Sequence, residues 1–361
     1  MLTILNVAYP LAPVSLGTAG GSEQIIALLD RALTQDGHRS IVVGCAGSVV
    51  KGTLIATSCR REFFRESRRE LYDEYRTAIW RSILKYKPDV IHLHGIDVHN
   101  YIPPAGLPAL ITLHLPSEWY SPELFNLDRP HTYLNCVSLT QQKACPRSTR
   151  LLPFIKNGVP VNSFSANLRK RRFALVLARV CPEKGIHLAI DAAAAAGVPV
   201  LVGGEVFPYE VYERYFSEEI APRLSRTAKF LGPVGFRRKR RLLSRAKCVL
   251  IPALAPETSS LVAMEALASG TPVVAFAAGA LPEIVDDGVT GFLVSNEHQM
   301  ADAIRRVDSI DRARCRREAV KRFSSEHMVR NYFGLYTVMT QNSGLPDRPD
   351  LTRLPRAAYP C

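Results

Sequence analysis

Short apolar runs alternate with longer stretches of helical period along most of this chain. Residues 2–7 form the first run, and a helix is predicted over 22–33, where Ile25, Ile26, Leu28, Leu29 and Leu33 are apolar. Further strands are predicted at 40–43, 88–94, 110–114 and 133–138. Between them, 60–87 is a long, highly charged helical stretch with Phe64, Leu71, Tyr75, Ile79 and Ile83 at helical spacing, and 140–147 is a short helix. Residues 153–160 read as a loop. A polar stretch at 162–172 interrupts the pattern, which then restarts. Strands are predicted at 173–178, 198–202, 229–232, 248–252, 271–276 and 291–294. Helices are predicted at 186–196, 210–224, 239–246, 297–307, 312–323 and 326–339, with a helical turn at 281–285. Strand–helix alternation of this kind builds parallel sheets. The expected fold is therefore α/β, with two Rossmann-like parallel-sheet domains facing a central cleft. They are expected over 1–165 and 166–324, with a helix at 325–340 packing back toward the first and a disordered tail at 341–361.

Composition narrows the class. The chain of 361 residues is 47% hydrophobic and 22% charged, as expected of a soluble globular protein. No apolar run approaches the ~20 residues a bilayer span needs. The N-terminus reads as a strand and not as a signal peptide. Eight cysteines without a Cys-x-x-Cys pair point to reduced thiols in a cytoplasmic protein, with no zinc site. The net charge is +13. The surplus gathers at 169–172, 237–241 and 305–322, and most of it is expected to be solvated helix surface. Such a surplus also attracts phosphorylated ligands or anionic lipid. The Arg-rich stretch at 60–87, with Phe63 and Phe64, offers peripheral contact with the inner face of an anionic membrane. Core packing is the competing use of those aromatics.

Candidate chemistry concentrates at 256–270. A helix apolar on all sides is a buried helix, yet this one carries Glu265, with Glu257 in the loop before it. Thr258 or Ser259 is placed to cap the helix, and Gly270 to end it in a left-handed conformation. Its first free amides, through Ser260, Leu261 and Val262, make an anion site. Buried Glu265 needs a donor, and a neighbouring Arg is the plain structural answer. Elsewhere a glycine loop with Gly20 and Gly21 opens the first helix. His94 and His114 fall at strand C-termini, where open α/β sheets bind ligands. Arg179 closes a strand, and Lys184 precedes Gly185 at a helix start.

Several stretches, in order, resemble the retaining glycosyltransferases of family 4, which have the GT-B architecture. They are Gly20-Gly21, Asp89 to His94, Thr112 to His114, Asn157 to Val159, Arg179 to Gly185, Phe230 to Gly232, Pro256 to Val273 and Gly288 to Val294. The resemblance implies a UDP- or GDP-sugar donor bound mainly by the second domain and an unidentified acceptor on the first. It implies that Arg179, Lys184 and the amides of Ser260, Leu261 and Val262 neutralise the departing diphosphate, with no metal or other cofactor. Glu265 would receive the ribose hydroxyls, Glu257 would orient the transferred sugar, and His114 would lie near the scissile bond. Gly20 and Gly21 would let the first loop close on phosphate or acceptor. His94 and Arg237 are weaker candidates. The chain departs from the family at Ser259-Ser260-Leu261, where Phe-Gly-Leu is common, so no donor preference carries over. Two other readings compete. A nucleotide-sugar 2-epimerase would convert donor without acceptor. A non-catalytic basic protein binding lipid or nucleic acid would be indifferent to Glu257, and no specific nucleic-acid motif is seen.

Overall fold

The computed structural model describes residues 1–58, 68–166 and 170–341. It divides into two compact units, Met1–Asn157 with the chain from Glu326 on, and Gly158–Ser325.

The first unit is built on a seven-stranded parallel sheet. Its strands are β1 (Thr3–Val7), β2 (Arg39–Cys45), β3 (Thr53–Thr57), β4 (Val90–Leu93), β5 (Ala109–Leu113), β6 (Thr132–Cys136) and β7 (Leu151–Leu152). They lie in the order β3-β2-β1-β4-β5-β6-β7. The central strands are buried along their whole length, which is why they read as largely apolar runs, with His92, Thr112 and Asn135 as buried polar exceptions. β3 and β7 are additions to the sequence expectation. β3 is a half-exposed edge strand with Thr at both ends. Buried Asp30 draws it in, accepting hydrogen bonds from Ser40 Oγ (2.7 Å), Lys51 N (2.6 Å) and Gly52 N (3.1 Å). The long helix expected at 60–87 is described over Arg69–Tyr86, where Leu71, Tyr75 and Ile79 are buried. Its beginning, with Phe63 and Phe64, lies outside the described residues, as does the tail from 342 on.

The second unit has six parallel strands: β8 (Ala174–Leu177), β9 (Val200–Gly203), β10 (Ala228–Phe230), β11 (Cys248–Ile251), β12 (Val273–Phe276) and β13 (Gly291–Val294). Their order is β10-β9-β8-β11-β12-β13. The Ala-rich helix Ile186–Ala195 lies close on this sheet through Ala189, Ile190, Ala192 and Ala193. The helix expected at 210–224 is α-helical only over Glu210–Tyr215. It loosens into a π turn at Phe216–Ile220 and a tight turn at Ala221–Arg223, where Pro222 stops the α ladder.

Candidate active site

Three adjacent strands of the second unit, β8, β11 and β12, send their C-terminal loops to one place. The loop after β8 carries Lys184 and the loop after β11 carries Glu257. Lys184 Nζ donates to Glu257 Oε1 at 2.6 Å. Two left-handed glycines make this approach possible. Gly185 has φ +57°, and a Cβ there would stand 2.2 Å from the carbonyl oxygen of Pro252. Gly279, in the loop after β12, has φ +60°, and a Cβ there would stand 2.2 Å from the carbonyl oxygen of Glu257 and 2.4 Å from its nitrogen. The neighbouring Ala280 amide donates to that same carbonyl at 2.6 Å. The Glu257 backbone is thus gripped by a loop that no larger residue could form. The side chain of Arg179, just past the end of β8, has neither a hydrogen bond nor an ion pair among the described residues. Its guanidinium is available to an anion.

The apolar helix runs Leu261–Ala268 and ends, as expected, at left-handed Gly270 (φ +61°). Its cap is Ser260, not Thr258 or Ser259. The Ser260 backbone is extended, and its Oγ accepts from Ala263 N at 3.4 Å. Three hydroxyl residues in a row leave this choice to the backbone. With Ala263 N capped, the amides of Leu261 and Val262 are the open donors of the first turn.

Inside this helix Glu265 is 1% exposed. Its donor is Lys239, not an Arg: Nζ reaches Oε1 at 2.5 Å. Burial pushes the Glu265 carboxyl up, and Lys239 pulls it back toward the charged form. The other oxygen, Oε2, is buried without a hydrogen-bond partner among the described residues. Lys239 lies on the helix Phe236–Arg245. It is the inward member of a basic run whose Arg237 is exposed.

The first unit holds a different constellation. Asn6 and His92 are register partners on neighbouring strands, and so are Thr112 and Asn135. Thr112 Oγ1 donates to Asn135 Oδ1 at 2.7 Å, which uses its only proton. His92 Nε2, 2.7 Å from the same hydroxyl, must therefore be the donor there. His92 Nδ1 is then an acceptor and takes the Tyr336 hydroxyl proton at 2.7 Å. Tyr332, one turn earlier on the helix Ser325–Gln341, likewise donates to Thr112 at 3.3 Å. Two residues past His92 on the same face, His94 is 2% exposed. Its Nδ1 lies 3.0 Å from His114 Nε2. Burial lowers all three histidines, His114 to about 3, so the rings are neutral. The Tyr120 hydroxyl accepts from the His114 amide at 2.9 Å and fixes its main chain.

Gly20 and Gly21 sit at the start of the helix Gly21–Gln35, Gly20 as its N-terminal flank with φ −79°. The space beside Gly20 is filled from within the chain. A Cβ there would lie 1.8 Å from Glu23 Oε2, so the missing side chain admits a carboxylate of the chain itself. Among the described residues, no group of three or more His, Cys, Asp or Glu could hold a metal. No helix among them is long and apolar enough to cross a membrane.

Both units match known families. Residues 161–322 match "Glycosyl transferases group 1", and residues 19–150 match "Glycosyltransferase Family 4". Similar proteins include D-inositol 3-phosphate glycosyltransferases of a Nocardioides species (39% identical over 115 residues) and of Mycobacterium bovis (37% over 138 residues). These matches cover 30% and 37% of this chain and only 25% and 28% of the relatives. Among solved structures, AviGT4, a glycosyltransferase involved in avilamycin A biosynthesis, is similar at 24% identity and TM-score 0.69, over 94% of this chain and 98% of that one. Sucrose-phosphate synthase from Thermosynechococcus elongatus is similar at 18% identity and TM-score 0.75, over 93% and 98%. HepE of Anabaena, solved in complex with UDP-glucose, is similar at 20% identity and TM-score 0.74, over 93% and 100%. With both units matched by glycosyltransferase models and GT-B structures similar over nearly the whole chain, the chain belongs to the family-4 type of glycosyltransferases and has the GT-B fold.

Proposed function

We propose that this protein transfers a sugar from a nucleoside-diphosphate sugar to an acceptor hydroxyl, with retention of anomeric configuration. The observation that carries this is the Lys184–Glu257 pair beside the unpartnered Arg179, at the strand ends that also present the start of Leu261–Ala268. An ammonium has three donors, and Glu257 takes one of them. The others, with the Arg179 fork and the amides of Leu261 and Val262, meet the charge that grows on a departing diphosphate. Glu257, held by Lys184, presents its second oxygen to hydroxyls of the transferred sugar. Glu265 Oε2, buried and unpaired, accepts from a ribose hydroxyl. In this role Lys239 keeps the carboxylate charged until the nucleotide arrives.

No carboxylate is assigned as a nucleophile. The bond from the anomeric carbon to phosphate breaks, the acceptor oxygen bonds to that carbon on the same face, and its proton passes to the departing phosphate oxygen. His114 lies by the reacting sugar as a neutral ring, and the loop at Gly20 and Gly21 contacts phosphate or acceptor. The reaction needs no metal, because fixed cations and amides do the neutralising. The chain works in the cytoplasm, where nucleotide sugars are made.

The test is incubation of the full chain with a panel of UDP- and GDP-sugars, alone and with D-inositol 3-phosphate or simple sugars as acceptors. The products are read by proton NMR. A glycoside of the donor's own anomeric configuration is expected. An inverted product would overturn the mechanism, and conversion of donor without any acceptor would favour an epimerase.

A further inference from the structure

The helix Arg69–Tyr86 packs on the first sheet with one side, where Leu71, Tyr75, Ile79 and Ser82 are buried at helical spacing. The opposite side should be polar, and in the second half of the helix it is not. Trp80 is 48% exposed and Leu84 is 71% exposed. Lying at i and i+4, they stand one above the other on the helix surface. At about 100° per residue both fall opposite the buried stripe, at the outermost crest. Trp80 has neither a ring contact nor a hydrogen bond among the described residues. Charge is distributed unevenly around the pair. The acids of the helix, Glu70, Asp73 and Glu74, all lie in its first half. Asp73 is paired with Arg76, and Glu74 accepts from Ser58 N at 2.8 Å. The stretch 76–87 carries Arg76, Arg81, Lys85 and Lys87 and no acid. Arg81, Lys85 and Lys87 are exposed, with no ion pair among the described residues. Arg39, at the start of β2, adds a cation beside the helix end: its guanidinium lies 4.8 Å from the Tyr86 ring centroid, and the Lys85 ammonium 5.0 Å from the same centroid. Asp89, just past the helix, is spent on the Thr3 amide at 2.6 Å.

We propose that the second half of this helix docks on an anionic lipid bilayer, with Trp80 and Leu84 in the interface and Arg39, Arg81, Lys85 and Lys87 over the headgroups. Charge complementarity selects this occupant. A second copy meeting the same face about a two-fold axis would set these cations against themselves. A bilayer answers both halves of the pattern. An indole settles at the headgroup level, and the long Lys and Arg stems lie along the apolar crest while their charges reach lipid phosphates. The helix lies on the membrane and does not cross it. The sequence pointed this stretch at a membrane through Phe63 and Phe64, and the apolar pair that the structure exposes is a different one. The inference stands apart from the proposed reaction, because vesicle binding needs no sugar donor.

The test is sedimentation of the full chain with vesicles of phosphatidylcholine alone or mixed with phosphatidylglycerol. Binding is expected to the mixed vesicles only, and to fade as salt is raised to about 0.5 M. Arg81→Gln with Lys85→Gln should weaken the partition by roughly tenfold or more, on the scale of two lost headgroup contacts. Trp80→Ser with Leu84→Ser should weaken it by a similar factor although every cation remains, which separates docking from a purely electrostatic encounter. All four substitutions fall on exposed or half-buried surface, and circular dichroism checks the fold. A second readout leaves the helix intact. The chain has two tryptophans, so in Trp119→Phe the indole of Trp80 is alone. Its emission should shift to the blue and resist acrylamide quenching when mixed vesicles are added. Failure of the wild type to bind mixed vesicles, equal binding to neutral ones, or a Trp80 emission that does not move would overturn the proposal. So would a lipid-free dimer in analytical ultracentrifugation that Trp80→Ser dissolves, which would assign the face to a second copy.

Discussion

The polar groups around the candidate residues of the two units differ in kind. The second unit pairs charge: half-buried Lys184 with Glu257, and buried Lys239 with Glu265. Around His92 the first unit sets neutral groups, with Thr112, Asn135, Tyr332 and Tyr336 joined to it in one hydrogen-bond network, while its buried charges such as Asp30 and Arg129 lie elsewhere. Charge is expensive to bury and is worth holding where an anion must be met. A neutral network cannot balance a diphosphate. It fixes donors and acceptors in place, which suits a region that orients hydroxyls. The contrast separates the two sets of groups: paired charges in the second unit, directional hydrogen bonds around His92 in the first.

Breaking the charged side should have the largest effects. Lys239→Met leaves Glu265 as an uncompensated buried carboxylate and should cost about 3–5 kcal/mol in urea unfolding. Adding Glu265→Leu should return most of that. A Lys239→Met variant as stable as wild type would mean that Glu265 is already protonated. Lys184→Ala and Glu257→Ala should each lower kcat/KM by on the order of 10²–10³ with the fold unchanged by circular dichroism, the scale of losing a fixed transition-state contact. Full activity in either would remove that residue from the mechanism.

The neutral side is tested with acid. His92, His94 and His114 are held neutral by burial, below the ordinary value of 6.5. Above pH 6.5 the folded and unfolded chains bind no extra protons at these rings. As pH falls below 6.5 the unfolded chain takes them up and the folded chain does not, so stability drops until the folded rings titrate, near 3 for His114. The slope should be roughly 1 kcal/mol per pH unit for each histidine. Denaturant midpoints between pH 6.5 and 5, above the range of ordinary carboxylates, read it out, and a flat profile there would contradict neutral rings. The smallest effect is Tyr336→Phe, which strips His92 Nδ1 of its donor and should cost about 1 kcal/mol or slightly more in thermal unfolding. No change would mean that His92 is not protonated as the network requires.

How much of this the sequence carried depends on distance along the chain. The central strands were legible because strands covered on both faces are mostly Val, Ile and Leu, even where His92 or Thr112 interrupts them. β3 and β7 were not, the first being half exposed and the second only two residues long. Glu257, Lys184 and Glu265 were legible as candidates, since carboxylates and a lysine beside helix starts and glycines are local features. Lys239 was hidden in a basic run. The available signal was its spacing of four from Leu243, whose burial puts Lys239 on the inward face. The histidine network was out of reach, because His92 finds Tyr336 across 244 residues. Only the spacing of Tyr332 and Tyr336 hinted that two hydroxyls point the same way.

The most direct test of the charged cradle is calorimetric titration of the full chain with UDP and GDP, beside Arg179→Ala and Lys184→Ala. One of the two diphosphates should bind the wild type, and each variant should weaken that binding by about tenfold or more, the worth of one charge-assisted contact. If neither diphosphate binds, or if both variants bind as the wild type does, the second unit does not hold its ligand in the way these residues imply.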